Sequence, residues 1–280
     1  MRGNRCFLGR AFRCLVLLLS LGIATQAAFA QCIVKLGYRL EDKSPFMAAV
    51  PDNTGLYADI YTRAAEMINC QLVIVRKPKK RILADLNAGK IDIYPAYNYT
   101  VQRAKNAFFV ATGLVKKNVG ISRSTLADVT DLSQLKGRKV IVALGSLNRY
   151  KNLTGIRVIR APGLSISQVI AFLYLQRADF YYANYSEFLY AIKLNPLQGN
   201  PLKIHHHCCG GEKVVYLAFS RKSTKFKEIA NPNFKPSEPV SAANFPTSLD
   251  PNSIAYQFNK ALQLMKNQGV TEKLYDKYFR

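Results

Sequence analysis

Between residues 32 and 97, three short apolar runs, CIVKLGY, QLVIVR and KIDIYP, alternate with two amphipathic stretches. The runs are too short for helices and rich in β-branched residues, so they read as strands. In GLYADIYTRAAEMIN, Leu56, Ile60, Ala64, Met67 and Ile68 recur on one helical face. KRILADLNAG reads as a shorter helix stopped by Gly89. Strand, helix, strand, helix, strand in this order leaves little choice. The strands must lie parallel, joined by right-handed crossovers, with the helices covering the sheet. If the first two strands start at the same edge, Cys32 and Cys70, which open them, come within bridging range. A Cys32–Cys70 disulfide is therefore expected.

A second unit of the same kind follows. DLSQLKGRKVIVALGS is expected to give a helix, a glycine stop and a strand, and IRVIRAPG a strand and turn. SISQVIAFLYLQRADFYYAN gives a helix, with Ile166, Ile170 and Leu173 on its face, then a strand; YSEFLYAIKL gives another helix. Two extended stretches, GLVKKNVGISRS and EKVVYLAFSRKS, flank this unit. C-terminal helices then carry Ile254, Phe258, Ala261 and Met265 in register, and TEKLYDKYF. The prolines of ANPNFKPSEPVSAANFPTSL forbid a regular helix, so residues 230–250 read as an inserted surface loop. The fold class expected is α/β: two doubly wound lobes joined by two crossings, a clamshell.

Residues 1–30 read as a signal peptide. Arg2, Arg5, Arg10 and Arg13 precede the apolar run CLVLLLSLGIA, and AFA ends a small-x-small cleavage site before Gln31. Cys32 lies one residue too late for a lipid anchor. All 17 acids but only 36 of the 40 basic residues follow the leader, so the exported chain keeps a charge of +19. An acidic ligand steered to a cleft, an anionic envelope surface and plain solubility all fit that charge. Nucleic acid fits poorly, because the basic residues are scattered and no nucleic-acid motif occurs. Cys208 and Cys209 sit in HHHCCGG, residues 205–211, and are either free or joined to each other. Neighbouring residues on an extended chain face opposite ways, which argues against all five side chains meeting one metal ion.

One stretch asks for a ligand. NAGKIDIYPAYNYTVQRAKNAFF, residues 87–109, runs from a helix end through a strand to Arg103, in the first turn of the next helix. That end of a helix is electrostatically poor for a cation. Strands of open α/β sheets end at ligand crevices, and a guanidinium there suits a carboxylate.

Together with TGLYADIYTRAAEMI, LSQLKGRKVIVALGS, LYLQRADFYYANY, VYLAFSRKS and ALQLMKNQGVTEKLYDKYF, this stretch resembles the bacterial extracellular solute-binding proteins of family 3. These are periplasmic receptors of ABC importers for polar amino acids. The resemblance implies a type II clamshell, with lobe one at 31–115 plus 216–280 and lobe two at 118–213. It implies Arg103 as the clamp of a ligand carboxylate, with Asn98 where the family has Ser or Thr. It places Ser146 at a strand-to-helix turn meeting the same group, and Leu147 where a small residue is usual. Tyr38 and Phe46 fall where aromatic walls are expected.

Two positions depart from the family. Asn184 stands where an aspartate pairs with the ligand ammonium, and Lys79 where an aromatic covers the ligand. Lys79 either adds charge to the cleft or points to solvent. The ligand implied is a small carboxylate or an amino acid held in a variant way. No cofactor and no nucleic acid are implied; the partners are the solute and an inner-membrane ABC permease, and the protein is expected to be a periplasmic monomer. Two alternatives share the scaffold: a cyclohexadienyl dehydratase-like enzyme, for which Glu187 and Asp179 are the acids nearby, and a sensory envelope protein. No Ser-His-Asp or paired-carboxylate constellation supports an enzyme.

Overall fold

The computed structural model describes residues 32–40, 43–143, 149–161, 165–194 and 202–280. β1 (Cys32–Tyr38) leads to α1 (Leu56–Glu66), β2 (Cys70–Arg76), α2 (Lys79–Ala88) and β3 (Ile93–Tyr94). Cys32 and Cys70, which open β1 and β2, form the expected disulfide. Gly89 ends α2 in the left-handed conformation at φ 74, and a Cβ there would meet the Lys222 carbonyl oxygen at 2.3 Å. Only glycine suits that stop.

After the one-turn helix α3 (Val101–Ala104) comes β4 (Ala107–Arg123), a strand of 17 residues. A 3₁₀ turn at Leu132–Leu135 precedes β5 (Lys139–Ala143), then β6 (Arg157–Ala161), α4 (Ile166–Tyr174), β7 (Phe180–Asn184) and α5 (Tyr185–Leu194). β8 (Leu202–His205) and the long β9 (Glu212–Ser220) follow. β10 (Glu228–Ala230) pairs antiparallel with β11 (Thr247–Leu249), closing the base of the proline-rich loop. α6 (Ile254–Asn267) and α7 (Val270–Phe279) end the chain.

The strand order is β2-β1-β3-β9-β4-β7-β5-β6, with β8 also on β4. Read from the middle outward, it is symmetric. The trio β2-β1-β3 stands on one side and β6-β5-β7 on the other, with the two long strands β9 and β4 between them. β1 pairs parallel with β3, and β5 pairs parallel with both β6 and β7. β4 runs through both halves. Its Ala107–Ala111 portion pairs with β9, and Asn118–Ser122 pairs with β7. Between them the register with β9 shifts from Ala111 to Val115, where Gly113 takes φ 83. Four steps along β4 there oppose two along β9, a bulge-like irregularity of the kind that bends the strand carrying it.

An aspartate, buried in one half and half-buried in the other, repeats in the two halves. Asp92, just before β3, accepts the Lys35 N–H of β1 at 2.8 Å and meets Lys225 Nζ at 3.3 Å. Asp179, just before β7, accepts the Lys139 N–H of β5 at 2.8 Å and meets Arg123 Nη2 at 3.4 Å. Each carboxylate ties the first strand of a trio to the third.

Two of the apolar clusters follow the same division. Ile82 and Leu86 of α2 bury against Tyr94, Phe109 and Ala218; Val169 and Leu173 of α4 bury against Val119, Ile121 and Ile141. Each such aliphatic side chain is worth roughly 1.5–3 kcal/mol when removed from water. Ile33–Arg280 forms one compact unit. Among the described residues, no helix is long and apolar enough to cross a membrane.

Candidate functional site

Beyond β3 the backbone turns through Ala96 at positive φ, and the Tyr97 N–H donates to the Tyr216 carbonyl at 3.0 Å. Thr100 caps α3, its Oγ1 accepting the Arg103 N–H at 3.2 Å. The Arg103 guanidinium lies 4.3 Å above the Tyr97 ring, and its Nη1 donates to the Asn98 carbonyl at 2.9 Å. Tyr97 is in turn stacked on Phe109 at 5.9 Å and 7°. One hydrogen bond and one ring thus fix the plane of the guanidinium, and most of its N–H donors stay open. Among the described residues, no carboxylate pairs with Arg103. Arg63, Arg123, Arg221 and Arg280 each have one. The Asn98 side chain is exposed beside it. From below, Arg221 Nε donates to the Ala104 carbonyl at 2.8 Å, and Arg221 packs on Phe245 of the proline-rich loop. The loop therefore props the helix that carries Arg103.

Asn184 is occupied by its own chain. Its Oδ1 accepts the N–H groups of Ser186 at 3.0 Å and Glu187 at 3.3 Å, so it caps α5. Both partners are donors, which fixes the oxygen on the helix and leaves the NH₂ to face outward. The side chain can then donate to a ligand, and its acceptor is taken.

The other expected positions are spread around this frame. Lys79 opens α2 and is exposed. Phe46 stacks on Tyr57 at 5.3 Å and meets Phe279 at 5.1 Å. Tyr38 is fully buried, with the Arg76 guanidinium 5.0 Å from its ring centre. Burial, reinforced by Tyr57, pushes its phenol well above the usual range. Ser146 and Leu147 lie outside the described residues. The loop that carries Phe46 is held by Arg76, which donates to the carbonyls of Arg39 at 2.9 Å, Ala48 at 2.8 Å and Asp52, and to Asn53 Oδ1 at 2.7 Å. Nothing in the sequence around Arg76 signals this role.

Among the described residues, one concavity is lined by Asn53, Asp59, Arg63, Leu274 and Lys277; a smaller one lies at Tyr99, Phe108 and Phe245. Neither includes Arg103, Asn98, Asn184, Lys79, Tyr38 or Phe46.

HHHCCGG has a settled chemistry. Cys208 and Cys209 are joined as a vicinal disulfide and buried. His205 is buried, with Nδ1 accepting the Val129 N–H at 3.0 Å and Nε2 at 2.8 Å from Ser122 Oγ. The Ser122 hydroxyl donates to the Arg123 carbonyl, so Nε2 carries the proton and the ring is neutral. Burial lowers its pKa below the usual 6.5, with Asp128 opposing. Both ring nitrogens and both sulfurs are thus engaged within the fold. Nearby, Tyr182 donates its hydroxyl to the Cys209 carbonyl at 3.2 Å, and the Arg149 guanidinium lies 4.3 Å from its ring centre. Neither residue was singled out from the sequence; the only signal is that Tyr182 precedes Asn184 by two positions and Arg149 follows LGSLN.

The acids that an enzyme on this scaffold would use differ in availability. Asp179 is held by Arg123 and the Lys139 N–H. Glu187 lies in the first turn of α5, and its charge helps push up the buried Tyr57 phenol, after the larger effect of burial itself.

The model of the bacterial extracellular solute-binding proteins, family 3, matches residues 38–280. The chain belongs to this family. Its architecture is that of the type II periplasmic binding proteins, as three solved structures illustrate. The unliganded, open L-cystine solute receptor of Neisseria gonorrhoeae is 19% identical, with a TM-score of 0.65 over 89% of this chain and 93% of that one. An ancestral arginine-binding protein bound to glutamine is 22% identical, with a TM-score of 0.53 over 89% and 98%. An ancestral amino acid-binding protein described as a precursor of cyclohexadienyl dehydratase is 17% identical, with a TM-score of 0.55 over 89% and 95%. No curated protein sequence matches the chain. Members of this family are extracellular or periplasmic solute-binding proteins.

Proposed function

We propose that this protein is an exported receptor for a small carboxylate-bearing solute, an amino acid or related organic acid, which it delivers to an ABC importer by lobe closure. The observation that carries the reading is Arg103. It is a guanidinium fixed in plane by Tyr97 and the Asn98 carbonyl, without a carboxylate partner among the described residues. A fork held in this way can donate two parallel hydrogen bonds to a ligand carboxylate at little entropic cost. In the closed complex Asn98 and Ser146 add donors to the same group, Phe46 and Tyr38 belong to the facing wall, and Leu147 and Lys79 border it. Residues 1–30 are cleaved as a signal peptide.

The two lobes, 31–115 with 216–280 and 118–213, close about Gly113, where the register of β4 against β9 shifts. The family and its structural neighbours are mostly binding proteins, and the neighbour that is a precursor of cyclohexadienyl dehydratase keeps a dehydratase-like enzyme as a second reading. Glu187 is the acid that reading would use, and turnover of prephenate or arogenate would establish it.

The test of the receptor reading is calorimetric titration of amino acids, dicarboxylates and keto acids into wild type and Arg103→Ala. Binding by the wild type that is lost in the variant supports the reading. Equal affinity in the two proteins overturns the site.

A further inference from the structure

Arg103 has a counterpart in the other half of the molecule. Arg149 is exposed, lies over the ring of Tyr182 at the same 4.3 Å, and has no carboxylate partner among the described residues. The ring beneath it is anchored from behind: the Tyr182 hydroxyl donates to the Cys209 carbonyl, and Cys209 is pinned by its disulfide to the buried Cys208. Side chains two apart on a strand point to the same face, so Tyr182 and Asn184 face the same way on β7. Asn184 turns its NH₂ outward from that face, because its oxygen is held by α5. The acid closest in sequence, Glu187, lies near Tyr57 and Tyr181, whose phenols are raised first by burial and then by its charge; the Tyr181 side chain leaves β7 on the opposite face. β3 and β7 are the equivalent strands of the two trios. Arg103 follows the carboxyl end of β3, and Asn184 forms the carboxyl end of β7, the ends at which such sheets bind ligands.

We infer that the two halves each offer a planar, ring-backed guanidinium to the solute, and that the solute is a small dicarboxylate. Arg103 takes one carboxylate, and Arg149, assisted by the Asn184 amide, takes the other. The vicinal disulfide then has a role: it fixes the platform on which Arg149 lies. An ammonium-bearing solute meets no free acceptor at Asn184 and gains nothing there. This rests on the carboxylate-receptor reading and extends it.

The experiment is calorimetric titration of succinate, glutarate and butyrate into the exported chain, as wild type, Arg103→Gln and Arg149→Gln, each with its thermal unfolding recorded. A charge-assisted pair at Arg149 should favour the dicarboxylates over butyrate by about tenfold or more. In Arg149→Gln that preference should vanish while butyrate affinity is unchanged, and in Arg103→Gln both classes should be lost. A preference that is absent, or that survives Arg149→Gln, overturns the inference and leaves the receptor reading intact. The same holds if butyrate affinity falls in step with the dicarboxylates. Failure of the wild type to bind any of the three acids overturns the inference, while the receptor reading stands or falls on the titration of amino acids and keto acids into wild type and Arg103→Ala.

Discussion

Arg103 and Asn184 occupy matching places, one just after β3 and one at the end of β7, and they are held in opposite ways. Arg103 is braced but unsatisfied. Tyr97 and the Asn98 carbonyl fix its plane, while its remaining donors point to no protein acceptor among the described residues. Asn184 is satisfied but neutral. Its oxygen caps α5 through two N–H groups, and only its NH₂ is left for a ligand. A protein that recognised an ordinary amino acid would need an anion at the second place to balance the ammonium. Here both places donate. The difference teaches that, in the proposed receptor, donor polarity at these two places would favour an anionic solute.

Breaking the first half of the comparison should have the largest effect. Arg103→Ala should weaken binding of a carboxylate solute by about a hundredfold, read by calorimetry, since it removes a bidentate charge-assisted contact. Arg103→Lys should recover only part of the loss, because an ammonium cannot reproduce the planar fork.

The second half is sharpened by Asn184→Asp. Aspartate caps a helix as well as asparagine does, so stability should hold. The new charge should lower dicarboxylate affinity by about tenfold and raise that of the matching amino acid. A variant whose preference does not move would place Asn184 away from the ligand.

Asn184→Ala tests the cap alone. It should cost about 1 kcal/mol of folding stability, a fall of about 2–4 °C in melting temperature for a chain of this size.

The smallest effect concerns the platform behind Arg149. His205 is neutral in the fold, with its pKa held below the usual 6.5 chiefly by burial. Its stabilising contribution is therefore complete above the unfolded value and is lost as pH falls through the lower folded value. Protonation would set a second N–H against that of Val129. Denaturant unfolding from neutral pH to about pH 5 should lose less stability in His205→Gln than in wild type. Equal slopes would mean that His205 is not the group titrating.

The two halves also differ in how far the sequence reveals them. The first trio was legible because each of its elements carries its own signal: periodic apolar faces in α1 and α2, and Gly89 at the left-handed stop of α2. Cys32 and Cys70 followed from the strand order. The second half was less legible. DLSQL reads as a helix start but closes as a 3₁₀ turn, since only four residues separate its cap, Asp131, from the next cap position. Such a segment is too short to bury a face. The ladder of β10 and β11 was missed because its strands are three residues long, too short to show a periodic pattern, and β10 is exposed throughout.

The site divided in the same way. Arg103 was legible from its place after a strand. Asn184 was named, but asparagine suits both a cap and a ligand contact, and only the position of Ser186 and Glu187 decides between them. The pairing of Cys208 with Cys209 was open, because adjacency does not fix oxidation state. Arg149 and Tyr182 meet only in the folded chain, and no local pattern announces a contact between residues so far apart.

The most direct test of the account is a crystal structure of the protein with a bound dicarboxylate. The account predicts one ligand carboxylate in bidentate contact with Arg103 and Asn184 presenting its NH₂ to the solute. A ligand held elsewhere, with Arg103 still bonded only to the Asn98 carbonyl, would contradict it.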